Sequence, residues 1–103
     1  MAITITRTVT FCAGHRLPDH PGKCAYLHGH NYRAELTVQL ADGGLDASGM
    51  VLDFAEIKQR IGRWIDDHWD HGFLVHEADT ATRELLERFE ARPGVPQKMF
   101  VMP

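Results

Sequence analysis

The sequence lacks the features that would place it in a membrane, an export route or a nucleic-acid complex. It has no apolar run near the ~20 residues that cross a bilayer. Its 103 residues leave room for one domain, expected to cover residues 1–103. The first residues, Met1-Ala-Ile-Thr-Ile-Thr-Arg7, alternate instead of following a charged start with a greasy stretch, so no secretory signal is expected. Cysteine is scarce: Cys12 and Cys24 are the two in the chain, and they form no Cys-x-x-Cys pair. Free thiols in a reducing cytoplasm are therefore the expectation. Positive charge is not in excess. The net charge of -3 offers no general basic field for nucleic acid or an anionic membrane, so an anionic substrate would need a local patch. Internal repeats and low-complexity tracts are missing too. Against these absences stands histidine, seven in 103 residues.

Residues 2–12 alternate, with Ile3, Ile5, Val9 and Phe11 on one face and Thr4, Thr6, Thr8 and Thr10 on the other. β-Branched residues at period two predict a strand with one buried face, interrupted at Arg7. Residues 14–30 are punctuated by Gly14, Pro18, Pro21, Gly22 and Gly29 and hold four of the seven histidines. A loop of that length in a small domain usually has a function. Residues 31–40 alternate again and predict a second strand, followed by a turn at 41–44 and a short extended piece at 49–52. Asp53 and Glu56 fit a capping box for a helix over 54–68, with Phe54, Ile57, Ile61, Trp64 and Ile65 inward. Residues 73–76 read as a short apolar link. A second helix is expected over 80–91 with Leu85, Leu86 and Phe89 inward, and a strand begins near Lys98.

The chemistry centres on Cys24-Ala-Tyr-Leu-His28-Gly-His30. In strand geometry His28 and His30 point to one face. If the two strands pair antiparallel, His15 meets them from the end of the first. Three imidazoles leave a fourth tetrahedral position open, the pattern of a catalytic zinc site. The plainer reading of His-x-His is two surface histidines. Cys24, beside Lys23 in the loop, is a fourth ligand, a base or a small buried hydrophobe, and spacing does not separate these. Cys12, within a strand, is expected in the core. Asp67-His68 and Asp70-His71 each offer a carboxylate beside an imidazole, a pairing that can relay protons. His20 and His76 are expected to be solvated.

Four motifs occur in order: Phe11-Cys-Ala-Gly-His15-Arg-Leu, Lys23-Cys24-x-x-Leu27-His28-Gly-His30-Asn31-Tyr32, Gly49-Met50-Val51-x-Asp53-Phe54-x-x-x-Lys58, and Asp70-His71-x-x-Leu74. Together they resemble the 6-pyruvoyl-tetrahydropterin synthase family. The short Cys-x-x-x-His-Gly-His spacing is similar to its bacterial 6-carboxy-5,6,7,8-tetrahydropterin synthases of queuosine biosynthesis. The resemblance covers about residues 2–75. It implies an α+β T-fold (tunnelling fold), an antiparallel sheet with helices on one face, assembled as trimers or hexamers. It implies Zn2+ on His15, His28 and His30. Cys24 becomes the catalytic thiolate and Asp70 and His71 its relay partners, supplied by a neighbouring subunit. The implied substrate is 7,8-dihydroneopterin triphosphate, cleaved with release of triphosphate and acetaldehyde. The alternatives are the sister 6-pyruvoyl-tetrahydropterin synthesis and a non-catalytic zinc-binding T-fold module. Arg16 and Lys23 are candidates to meet the triphosphate.

Members of that family continue into a Pro-Thr-x-Glu-Asn helix and a last strand pair carrying a pterin-anchoring Glu, whereas this sequence stops at Pro103. The domain is therefore expected to be C-terminally incomplete, and residues 77–96 to be an insertion relative to the shortest members.

Overall fold

The structure, a computed structural model, describes residues 3–39 and 54–103. The turn expected at 41–44, the extended piece at 49–52 and the Asp53 cap lie outside the described residues. Strand β1 (Thr4–His15) pairs antiparallel with β2 (His28–Gln39) in an unbroken register from Thr4 opposite Gln39 to His15 opposite His28. Alternation holds along this hairpin: Ile5, Arg7, Val9 and Phe11 are half-buried, while Thr4, Thr6, Thr8 and Thr10 are exposed.

Both strands reach further toward the loop than the glycine pattern suggested. Gly14 and Gly29 face each other inside the ladder and do not break it. Their role is close approach. A Cβ on Gly14 would come within 2.7 Å of the Phe73 ring, and one on Gly29 within 3.3 Å of the Ala13 carbonyl oxygen. The irregular stretch is thus confined to 16–27, with a short 3-10 turn at Lys23–Ala25.

The first helical stretch is less regular than its periodicity implies. Helix α1 (Phe54–Ile57) passes through a π-helical segment (Lys58–Gly62) into α2 (Arg63–His68). The wider π turn changes which residues face the sheet. Ile57 and Ile65 are buried, and Gly62, five residues beyond Ile57, is buried as well. Ile61 and Trp64, expected inward, are exposed.

Residues 73–76, read as a link, belong to strand β3 (Gly72–His76). Helix α3 (Thr80–Arg88) follows, then β4 (Met99–Met102). The sheet order is β2-β1-β3-β4. The architecture is α+β as expected, but the sheet is antiparallel only in its β1–β2 half. β3 joins β1 in parallel through Ala13–Gly72 and Gly14–Phe73, and β4 runs parallel to β3. The cause is connectivity: the loop 16–27 joins neighbouring ends of β1 and β2 and reverses the chain, whereas the crossover through α3 carries it back to the end at which β3 began, so β4 runs parallel.

Asp79 caps α3 by accepting from the Thr82 backbone N–H. Leu86 is buried as expected, whereas Leu85 and Phe89 are exposed; the helix ends at Arg88, so Phe89 is already extended. The buried apolar side chains among the described residues are Ala13, Ile57, Ile65, Val75 and Leu86, which sit between the helices and the centre of the sheet. No helix among the described residues is long and apolar enough to cross a membrane.

Candidate metal centre and proton relay

The β1–β2 register dictates the first cluster. His15 lies opposite His28, and His30 lies opposite Ala13. By alternation, His15, His28 and His30 share the face of Phe11 and Tyr32, whose rings stack at 5.0 Å. The His28 Nε2 is 3.0 Å from His15 Nε2 and 3.0 Å from His30 Nε2. Bonds of ~2.0–2.1 Å to one tetrahedral ion would set such nitrogens about 3.3 Å apart, close to what is found.

The outer hydrogen bonds support that use. His28 Nδ1 donates to the Tyr26 carbonyl at 2.6 Å, which leaves the Nε2 lone pair aimed at the cluster centre. The Tyr32 hydroxyl lies 3.4 Å from His15 Nδ1. Burial, and then the neighbouring imidazoles of His28 and His30, hold His15 below its ordinary protonation range, in the neutral form a metal requires. The donor set therefore fits a divalent transition ion, with three ligands and one position open.

A second cluster lies where α2 meets β3. Asp70 and His71 occupy the turn between them, and His71 takes a left-handed backbone with φ 62°. That conformation is held by β1: the His71 N–H donates to the Cys12 carbonyl at 2.7 Å, and the Cys12 N–H donates to Asp70 Oδ1 at 3.0 Å. His71 Nδ1 donates to Asp70 Oδ2 at 2.9 Å. The Cys12 backbone N–H, with the His71 ring and the Cys12 thiol, keeps the Asp70 carboxyl below the usual carboxylate range against the opposing effect of burial. Lys98 locks the turn from the β4 side by donating to the carbonyls of Asp66 and Asp70. Of the two Asp-His pairs, Asp70-His71 is the one in a cluster. His68 is instead exposed, stacked on Trp64, and donates from Nδ1 to the Trp64 carbonyl.

The sequence-predicted residues are thus divided between two places. His15, His28 and His30 come together, and so do Asp70 and His71. Cys24, in the 3-10 turn, is a half-buried free thiol that joins neither cluster. The thiol beside Asp70 and His71 is Cys12, with Sγ 3.8 Å from Asp70 Oδ1 and 3.7 Å from each nitrogen of His71. Cys12 was expected in the core, but its even position puts it on the face of the exposed threonines. That parity was the available signal.

Arg16 is also placed differently from the expectation. Its Nε and Nη2 grip both carboxylate oxygens of Asp79, at 2.7 and 2.6 Å, so its guanidinium is committed to the N-terminus of α3 and not to a phosphate. Lys23 is exposed. His20 and His76 are exposed as expected, each accepting a local backbone N–H, from Gly22 and Ala78.

Comparison with known proteins agrees with this geometry. Residues 4–92 match the family described as 6-pyruvoyl tetrahydropterin synthase. A 6-carboxy-5,6,7,8-tetrahydropterin synthase from Rickettsia bellii is 39% identical over 100 residues, covering 97% of this chain and 67% of that protein. One from Haemophilus influenzae is 33% identical over 100 residues, covering 89% of this chain and 69% of its own length. The crystal structure of an uncharacterised protein from Wolinella succinogenes superimposes with a TM-score of 0.67 at 28% identity, over 84% of this chain and 51% of that one. The chain therefore spans about two thirds of these curated relatives and about half of the solved structure. Its α+β architecture is the T-fold, and by sequence and by structure the chain belongs to the 6-pyruvoyl tetrahydropterin synthase family.

Proposed function

We propose that this chain carries the metal-binding and proton-handling parts of a zinc-dependent lyase. The substrates are 7,8-dihydroneopterin triphosphate and one water, and the products are 6-carboxy-5,6,7,8-tetrahydropterin, acetaldehyde and triphosphate, in the route to queuosine. The observation that carries this reading is the convergence of three imidazole nitrogens at one end of β1 and β2. It is joined by the likeness to proteins named for that activity. Bound on His15, His28 and His30, zinc would supply Lewis acidity toward oxygens of the substrate side chain.

The chain's own groups do the rest. Cys24 moves protons along the substrate side chain as general base and then acid. Asp70 orients His71 through Nδ1 and leaves Nε2 to exchange the proton. The imidazole cluster and the Asp70–His71 pair lie on opposite faces of β1, which favours a relay that serves the site of a neighbouring copy. An assembly also suits the long hairpin. Along β2 exposed and half-buried residues alternate, so much of this strand has no cover from the described residues. Both thiols are free, which suits the cytoplasm.

The test uses protein loaded with one zinc per chain and 7,8-dihydroneopterin triphosphate, with acetaldehyde followed by a coupled reductase. Cys24→Ala should lose about 10²–10⁴-fold in turnover while keeping its zinc. Turnover at the wild-type rate would end this mechanism. Mixing Cys24→Ala with His71→Ala chains should restore part of the activity if the relay comes from a neighbour. A pyruvoyl product without acetaldehyde would reassign the chain to the sister reaction.

A further inference from the structure

The turn that carries Cys24 is short. It spans Lys23–Ala25, has no side-chain cap and buries none of its residues. Its hold on the fold comes from two bonds at its flanks. The Leu17 N–H donates to the Cys24 carbonyl at 2.7 Å and closes the loop from 17 to 24. On the other side, the Tyr26 carbonyl accepts from His28 Nδ1 at 2.6 Å. The thiol's segment is thus tied next to His15 at one end and to His28 at the other.

The Leu17 N–H lies on the planar peptide that leaves Arg16, so the setting of Arg16 aims this donor. Arg16 is itself gripped by Asp79, with Nε 2.7 Å from Oδ2 and Nη2 2.6 Å from Oδ1. The Asp79 side chain is only 4% exposed. Thr82 donates to the same carboxylate from its backbone N–H, at 3.2 Å, and from its hydroxyl, at 2.7 Å. Four donors on two oxygens occupy the carboxylate's four lone-pair sites. Two parallel bonds also fix the plane of the guanidinium, where one bond would let it pivot.

We propose that Arg16 and Asp79 are positioning residues for Cys24. Helix α3 holds Asp79, Asp79 holds Arg16, Arg16 aims the Leu17 N–H, and that bond sets the Cys24 turn relative to the three imidazoles. The proposal rests on the reading of Cys24 as the base. It gives the segment after β3 a role at a site that none of its residues enters. A pair that only stabilised the fold would act on every part of it alike, whereas this one acts first on the Leu17–Cys24 bond.

The experiment compares zinc-loaded wild type with Arg16→Met, Asp79→Ser and the double variant. Serine keeps a cap on α3, and the double variant leaves no buried charge unpaired. Amide hydrogen exchange is read at Leu17 and along the β1–β2 ladder, together with kcat and KM. In the double variant Leu17 should lose about 10-fold in protection beyond any change in the ladder. Its kcat should fall about 10–100-fold at unchanged KM, with one zinc per chain retained. Each single variant should lose as much kcat as the double, because all three break one link. Equal protection of Leu17 in wild type and the double variant overturns the proposal. So does a double variant with wild-type kcat, and so do losses that add between the singles. Should Arg16→Met fail to fold around its unpaired carboxylate, the comparison of Asp79→Ser with the double variant decides. Exchange reports with or without turnover, so inactive wild type would sink the enzyme reading and leave the Leu17 amide to judge this one.

Discussion

His15 and Cys12 are three residues apart on β1, yet they belong to clusters of opposite character on opposite faces of the sheet. The imidazole cluster is local. All three of its members come from one hairpin, and one register places them. The relay cluster is assembled at long range, from β1 and the turn 58 and 59 positions further on, with Lys98 of the last strand holding the turn. One is a consequence of strand pairing alone. The other exists only once β3 has docked and a histidine has been forced into left-handed backbone. A shared strand can thus carry two sites that differ in how much of the fold they depend on.

The largest expected effect breaks the local cluster alone. His28→Ala removes the central imidazole. A structural share of the ~10–16 kcal/mol typical of a zinc site implies a loss of roughly 10³-fold in affinity. Competition with a chromogenic chelator measures it. The His71 ring resonances should stay in place, and if they move, the two clusters are not independent. Next comes Asp79, whose pair with Arg16 fixes the chain immediately after His15. Asp79→Ala leaves that guanidinium without its buried partner and uncaps α3, and should cost about 3 kcal/mol in urea unfolding.

The pH dependence follows from the same residue. Arg16 first, then Thr82, holds the Asp79 carboxyl far below the usual range against burial. A depressed folded value means that its stabilisation is complete above the ordinary carboxylate range, about pH 4, and is lost as pH falls below it. In Asp79→Asn the acid limb of the stability curve should therefore flatten, and an unchanged limb would show that other carboxylates govern it. The smallest effect sharpens the comparison. Tyr32→Phe deletes the hydroxyl beside His15 Nδ1 and should weaken metal binding about 10-fold with the relay untouched.

What the sequence disclosed follows the same division. The imidazole cluster was legible because alternation places His28 and His30 on one side, and antiparallel pairing brings His15 to them. The relay dipeptide was legible only by resemblance, since spacing could not choose between Asp67-His68 and Asp70-His71. Cys12 was assigned to the core although its parity with Thr4, Thr6, Thr8 and Thr10 spoke against it. The π segment escaped because one widened turn leaves no compositional mark, so Ile61 and Trp64 kept their helical spacing while losing their burial. β3 escaped because its two contacts with β1 are parallel and distant in sequence. Arg16 drew attention as a basic residue near the site, and its carboxylate partner stands 63 positions away.

The left-handed backbone at His71 has a consequence for how this chain tolerates change. A residue with a Cβ stores on the order of 1 kcal/mol there, which glycine would release. Histidine at 71 thus sets its ring's hydrogen bond to Asp70 against that strain, and His71→Gly, which removes both, would show in urea unfolding which of the two is larger.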